Sequence, residues 1–158
     1  MPPGEKRIRT LVVDDSADFL RYLCVFLDTL PNVDVIAKGH TGRDAIVLAH
    51  EWMPDLVLMD VKMPETTGLE AASQLARELP EVIVILTSAF EIEGIWRASQ
   101  ESGAFAFVMK EHLTQDLSRL LELAAAEGME QAHKELRLSK RSAHPSMSPE
   151  VSRRGCVR

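Results

Sequence analysis

The chain has 158 residues, 24 acidic and 18 basic side chains, a formal net charge of −6 and 46% hydrophobic residues. This length suits one domain whose core needs no disulfide or metal, and Cys24 and Cys156 have neither disulfide-framework nor metal-ligand spacing. No apolar run approaches the ~18 residues that cross a bilayer, and no apolar stretch of a secretory signal follows the N-terminus. We therefore expect a cytoplasmic protein with no membrane partner.

The charge is unevenly distributed along the chain. Residues 1–127 contain 21 acidic and 11 basic side chains, whereas residues 128–158 contain 3 acidic and 7 basic side chains. The acidic part argues against nucleic acid as a partner, because phosphates are bound by accumulated Lys and Arg. We predict an N-terminal extension at 1–7, one domain at 8–127, and a helix extension with a basic, disordered tail at 128–158.

Short apolar runs alternate with segments of helical period along the predicted domain. The apolar runs are rich in β-branched residues, as is typical of buried parallel strands, and begin near residues 8, 33, 56, 82 and 104. The segments with apolar residues three and four apart span 19–30, 45–49, 69–79, 92–99 and 113–124. This alternation predicts an α/β fold with a doubly wound, five-stranded parallel sheet and helices on both faces.

Polar side chains follow four of the five predicted strands. These residues are Asp14 and Asp15 after the first strand, Asp60 after the third, Thr87 and Ser88 after the fourth, and Lys110 after the fifth. In an open parallel sheet, ligands bind outside the carboxyl ends of the strands. The general polarity of loops explains any one of these positions, but it explains the joint pattern poorly.

The three carboxylates are the residues from which a divalent metal site can be built. Carboxylates held this closely repel one another, so one must be protonated unless a cation lies among them. Mg²⁺ suits a site of a few carboxylates, a carbonyl and water. With the cation bound, one carboxylate can attack a phosphoryl group while a hydroxyl and an ammonium group neutralise charge.

The motifs at the strand ends resemble one known family. Val12-Val13-Asp14-Asp15-Ser16, the run from Leu58 to Pro64 with Gly68, the hydroxyls that close the fourth strand, and Gly103-Ala104 before Met109-Lys110 are similar to those of the receiver domain of two-component response regulators. The resemblance covers about residues 8–127. It implies a flavodoxin-like fold with strand order 2-1-3-4-5, and a histidine kinase or histidine phosphotransfer protein as the phosphodonor.

The resemblance also implies a role for each matching residue. Asp60 corresponds to the phosphoacceptor. Asp15, Asp60 and the backbone carbonyl of Lys62 correspond to the Mg²⁺ ligands, and Asp14 acts mainly through a metal-bound water. Lys110 pairs with the phosphoryl oxygens.

Two further positions are implied in the switch that follows phosphorylation. Ser88 lies 22 residues before Lys110, the usual family spacing of the switch hydroxyl, while Thr87 is the alternative if the next loop carries an insertion. Phe107 falls where the family has its switching aromatic residue, although a core Phe would look the same in the sequence.

We expect a single-domain response regulator rather than an enzyme. The 31 residues after 127 are too few for a helix-turn-helix domain, so output is expected through contact with an unknown downstream protein, without specific DNA binding. One alternative is a receiver-like scaffold without phosphate turnover. Another is an aspartate-nucleophile phosphohydrolase, which needs a second Asp two residues after the nucleophile, where this chain has Lys62.

Overall fold

The computed structural model describes residues 6–127, with side chains described as far as residue 121. The strands are β1 (Ile8–Val13), β2 (Val33–Gly39), β3 (Leu56–Asp60), β4 (Ile83–Ser88) and β5 (Ala106–Met109). The helices are α1 (Ala17–Asp28), α2 (Gly42–Trp52), α3 (Gly68–Glu78), α4 (Ile95–Glu101) and α5 (Leu113–Glu127), with a single 3₁₀ turn at Lys110–His112. The predicted alternation of strands and helices is confirmed.

The five strands form one parallel sheet in the order β2-β1-β3-β4-β5. Successive residues of a strand point to opposite faces, and the core is accordingly divided into two layers. Val12 belongs to the layer that α1 and α5 cover, whereas Val13 belongs to the layer that α2, α3 and α4 cover. The predicted fold class and strand order are therefore confirmed.

The first three helices begin at hydroxyl N-caps. The side chains of Ser16, Thr41 and Thr67 each accept a hydrogen bond from the backbone N–H three residues further on, which satisfies a donor that the helix leaves free. Helix α4 has seven residues and begins after Gly94, which has no side chain to supply such a cap. Of these four helices, α4 is therefore the shortest and the one whose start is held least firmly.

The start of α4 corrects one sequence prediction. The apolar spacing predicts the fourth helix over residues 92–99, but the helix begins at Ile95, and Ile92 lies exposed in the loop before it. Gly94 has a φ of +81°, which breaks the helical path between the two residues. The helical spacing of Ile92 gives no sign of this break, because spacing does not show the backbone conformation of Gly94.

Some predictions fall wholly or partly outside the described residues. The helix extension and basic tail predicted at 128–158 lie outside them, as do residues 1–5. The domain boundaries at residues 8 and 127 therefore remain predictions. Within residues 6–127, no helix combines the length and the apolar character that a membrane crossing requires.

Candidate functional site

The carboxyl ends of β1 and β3 bring three acidic side chains together. Asp14 and Asp15 follow β1, and Asp60 is the last residue of the adjacent strand β3. One carboxylate oxygen from each lies within 4.8 Å of the others. Asp14 and Asp60 are buried, whereas Asp15 is exposed. The fold thus places the three sequence-predicted carboxylates in one cluster.

Lys110 joins this cluster from the end of β5. Its Nζ lies 2.8 Å from Asp14 Oδ2 and 3.6 Å from Asp60 Oδ2. The ammonium group also lies 4.0 Å from the centroid of the Phe19 ring in α1. The sequence indicated Phe19 only as an apolar residue of a helix, and no motif connected it with Lys110.

The surroundings of Asp60 raise the pKa of its carboxyl from 3.8 to about 6. Burial is the largest cause, because it penalises the charged form. Asp14 and Asp15 add repulsion, while Lys110 and the backbone N–H of Lys62 act in the opposite direction. Asp60 is therefore ionised at neutral pH, but at a cost in free energy that an added cation would reduce.

The acidic cluster fits a hard divalent cation. Asp14 Oδ1 accepts a hydrogen bond from the Ser16 N–H at 2.8 Å, which orients the carboxylate. Asp14 Oδ2 is buried and has no hydrogen bond of good geometry within the described chain, although Lys110 is close to it. Three carboxylates outnumber the single ammonium group. Oxygen donors with excess negative charge are the donor set that Mg²⁺ prefers.

The loop after β3 lies directly against Asp60. Lys62 has an exposed side chain, while its backbone N–H reaches the Asp60 carboxylate. The loop ends at Gly68, whose N–H donates to the carbonyl oxygen of Val61 at 2.8 Å. A Cβ on Gly68 would collide with the backbone carbonyl oxygen of Asp60. The absent side chain thus lets α3 begin beside the acidic cluster.

The two hydroxyls at the end of β4 make different hydrogen bonds. Thr87 lies beside Asp60 in the sheet register, and its Oγ1 is 3.5 Å from the carbonyl oxygen of Met59, at the limit of a hydrogen bond. Ser88 Oγ donates to the carbonyl oxygen of Phe90 at 2.8 Å and accepts from the Phe90 N–H at 3.2 Å. Ser88 is therefore bonded to the loop that leads to α4.

Phe107 is buried in the layer that also contains α4. Its ring meets the Trp96 ring edge-on, with centroids 4.7 Å apart. In the sheet register Phe107 lies beside Leu86, two residues before Ser88 and on the same face of β4. Ser88 and Phe107 thus both contact the α4 region, one through its loop and one through Trp96.

Comparison with known proteins agrees with this arrangement. The family model for the response regulator receiver domain matches residues 10–122. The response regulator protein VraR of Staphylococcus saprophyticus is 36% identical over 115 residues, which cover 72% of this chain and 54% of VraR. The response regulator domain of Thermotoga maritima CheB superposes with a TM-score of 0.69 at 29% identity, covering 76% of this chain and 97% of that domain.

A DNA-binding response regulator of the LuxR family from Staphylococcus aureus has a similar fold, with a TM-score of 0.65 at 24% identity and coverage of 80% of this chain and 98% of that one. The chain belongs to the response regulator receiver family. It spans about half the length of the curated relatives that it matches.

Proposed function

We propose that this receiver domain accepts a phosphoryl group on Asp60 from a histidine kinase or a histidine phosphotransfer protein. The observation that carries the proposal is the position of Asp60 between Lys110 and two further carboxylates at the carboxyl edge of the sheet. An ionised carboxylate is the nucleophile, and the neighbouring ammonium group is a partner for phosphoryl oxygens. We also propose that the domain acts in the cytoplasm.

The chemistry of the transfer assigns a task to each group. An Asp60 carboxylate oxygen attacks the phosphorus of the phosphohistidine, the P–N bond breaks, and the imidazole leaves with the electron pair. Lys110 neutralises charge on the phosphoryl oxygens. Asp14, Asp15, Asp60 and the Lys62 carbonyl would hold Mg²⁺, directly or through water in the case of Asp14. When bound, the ion offsets the negative charge of the phosphoryl group and the carboxylates.

The signal is proposed to pass from Asp60 to α4 through Ser88. A phosphoryl group on Asp60 offers oxygen acceptors for the Ser88 hydroxyl, which would then leave the Phe90 backbone to which it is bonded. Release of the loop favours a second arrangement of α4, in which the Phe107–Trp96 contact would change, and a partner that binds this arrangement shifts the population. Thr87 remains the alternative hydroxyl.

The proposed output is a phosphorylation-dependent contact with a downstream protein. Residues 6–127 are acidic overall, which disfavours contact of this domain with nucleic-acid phosphates. We propose a switch with slow self-dephosphorylation rather than a turnover enzyme. Lys62 supplies no carboxylic acid for a phosphohydrolase, and a scaffold without phosphate turnover would have no use for the charged cluster.

The proposal is tested with acetyl phosphate, Mg²⁺ and intact-mass measurement. The wild-type chain should gain the mass of one phosphoryl group, and Asp60→Asn should gain none. Asp34→Asn is the matched control, because it removes an exposed carboxylate of β2 and should leave phosphorylation unchanged. No mass gain in the wild-type chain would favour the scaffold, and equal gain in Asp60→Asn would place the phosphoacceptor elsewhere.

A further inference from the structure

An aromatic ring contacts the Lys110 ammonium group in addition to its two carboxylate partners. The Lys110 Nζ lies 4.0 Å from the centroid of the Phe19 ring, compared with 3.6 Å from Asp60 Oδ2. The side chain of Lys110 is only 15% exposed. A cation within about 6 Å of an aromatic face is attracted by the ring quadrupole, and more strongly where water is excluded.

Two hydrogen bonds connect the backbone of Phe19 to the acidic cluster through Ser16. Asp14 Oδ1 accepts from the Ser16 N–H at 2.8 Å, and Ser16 Oγ accepts from the Phe19 N–H at 3.3 Å. Phe19 also packs against the α1 and α5 core layer, and its ring contacts the ring of Tyr22. The turn that orients the Asp14 carboxylate therefore also places the Phe19 backbone, and the packing of the ring holds it beside Lys110.

We propose that Phe19 is a positioning residue, which holds the Lys110 ammonium group against Asp14 and Asp60 and so speeds phosphoryl acceptance by Asp60. The ring attracts the ammonium group but adds no negative charge and no strong hydrogen-bond acceptor, so the N–H donors stay available to carboxylate and phosphoryl oxygens. Donors that are already oriented need less rearrangement in the transition state. The effect on the rate rests on the proposed function, whereas the contact itself does not.

Three variants separate the aromatic contact from simple packing. Phe19→Leu keeps an apolar side chain but removes the ring, and Phe19→Tyr keeps the ring. Phe26→Leu is the matched control, because Phe26 is another half-buried Phe of α1 packed on the same core layer and lies about 10 Å further along the helix. Urea unfolding measures how much the free energy of unfolding falls in each of the three variants.

The first measurement is NMR on the unphosphorylated full chain. The ring current of Phe19 should move the Lys110 side-chain resonances upfield, an effect that Phe19→Leu should abolish and Phe19→Tyr should preserve. The second is the initial rate of phosphorylation by acetyl phosphate with Mg²⁺. Phe19→Leu should be about 3- to 10-fold slower, which is the range expected from losing one partly desolvated cation–π contact. The phosphorylation rates of Phe19→Tyr and Phe26→Leu should stay within about 2-fold of the wild-type rate.

The outcomes distinguish the positioning role from the proposed function. Unchanged Lys110 resonances in Phe19→Leu would overturn the contact, and equal slowing by Phe26→Leu would reduce Phe19 to a packing residue. If the wild-type chain accepts no phosphoryl group, the proposed function fails, and the resonances of Lys110 alone decide whether Phe19 holds the ammonium group.

Discussion

Asp60 lies among groups that act on its charge in opposite directions. Burial, Asp14 and Asp15 disfavour the carboxylate, while Lys110 and the Lys62 N–H favour it. The balance raises the pKa to about 6, so the single ammonium group does not offset burial and repulsion together. The free energy that the fold loses in ionising Asp60 is recovered when a bound cation offsets the excess negative charge of the three carboxylates.

We predict that Asp60→Asn stabilises the fold at pH 7 without Mg²⁺. Because the pKa is raised from 3.8 to about 6, the folded state binds this proton more tightly than the unfolded state. The stability that the group contributes is complete below pH 3.8 and is lost as the pH rises through about 6. The uncharged Asn side chain avoids this loss, so the free energy of unfolding of Asp60→Asn should be higher than that of the wild type by about 1–3 kcal/mol.

Urea unfolding between pH 4 and pH 8 measures this difference, which should be small at the acidic end and should narrow when Mg²⁺ is added at pH 7. Asp34→Asn, at an exposed position, should show neither trend. A difference that is independent of both pH and Mg²⁺ would contradict the electrostatic origin.

We predict that Ser88→Ala still accepts a phosphoryl group but switches poorly. Asp60 is the proposed nucleophile and is unchanged in this variant, so the phosphorylated mass should appear at a rate within a few-fold of the wild type. The bonds from Ser88 Oγ to the Phe90 backbone are absent in the variant, so the hydroxyl can no longer move from the loop to a phosphoryl oxygen.

The measurement is the change in Trp96 fluorescence on phosphorylation, because Trp96 packs on Phe107 beside this loop. The exposed Trp52 also emits, so Trp52→Phe is added to each of the two variants compared, Ser88→Ala and Thr87→Ala. The fluorescence change should be largely lost in Ser88→Ala and kept in Thr87→Ala. The reverse result would identify Thr87 as the switch hydroxyl.

Among the helices, α4 has the features of a mobile element. It is seven residues long and lacks a side-chain N-cap, whereas α1, α2 and α3 have 11 or 12 residues and hydroxyl caps. Fewer helical hydrogen bonds and an uncapped start lower the free energy of local opening. We predict faster amide hydrogen exchange in α4 than in α1, α2 or α3, measured by mass spectrometry.

Phosphorylation with acetyl phosphate should change exchange most in the loop after β4 and in α4, at residues 89–101. Amide exchange in α2 is the internal comparison, because α2, like α1, has a hydroxyl N-cap and is longer than α4. Exchange that is uniform over the four helices, or unchanged in α4 after phosphorylation, would argue against α4 as the responding element.

The connection between β3 and α3 depends on the absence of a side chain at Gly68. A Cβ there would collide with the backbone carbonyl of Asp60, which cannot turn aside as a flexible side chain can. We predict that Gly68→Ala lowers the free energy of unfolding by about 1–3 kcal/mol or more and slows phosphorylation, because the loop carries Lys62.

Gly94→Ala is the comparison for this effect. Gly94 has a positive φ but nothing within 4 Å of a Cβ, so Ala there adds backbone strain of about 1–2 kcal/mol without a collision. Both variants are compared by urea unfolding and by phosphorylation rate. Gly94→Ala should leave the rate near that of the wild type, and equal slowing in the two variants would contradict a local effect at Asp60.

At the scale of the whole molecule, the charge is divided between two parts of the chain. Residues 1–127 have ten more acidic than basic side chains, and residues 128–158 have four more basic than acidic ones. Electrostatic attraction between these two oppositely charged parts extends only over the Debye length, ~8–10 Å near physiological salt. The residues that we propose for the phosphoacceptor chemistry lie between positions 14 and 110, all in the acidic part.

We predict that truncation after Glu127 leaves phosphorylation of Asp60 by acetyl phosphate unchanged. A synthetic peptide of residues 128–158 should bind the truncated protein, with an affinity that falls steeply as salt rises. Fluorescence polarisation of the labelled peptide measures this binding, with a peptide in which Gln replaces every Lys and Arg as the control. No binding at low salt would show that the basic segment does not dock on the acidic domain.

The sheet and the chemical groups at its edge were predictable from the residues alone. Apolar runs that end in Asp14-Asp15, Asp60 and Lys110 predict buried parallel strands, and the carboxyl ends of such strands meet at one edge. The strand order, which the resemblance to receiver domains implied, agreed as well. The alternation of strands and helices depends on local patterns of a few residues, and the general rule for parallel connections limits the possible topologies to a few.

How those groups act on one another depends on the packed fold. The pKa of Asp60, the contact of Phe19 with Lys110, and the Trp96–Phe107 packing depend on distances between residues that are far apart in the chain. Where α4 begins was also missed, because Ile92 has the right spacing while the backbone at Gly94 turns out of the helical path. Spacing records which side chains could share a face, but Coulomb and cation–π energies depend on separations and burial that only the packed fold defines.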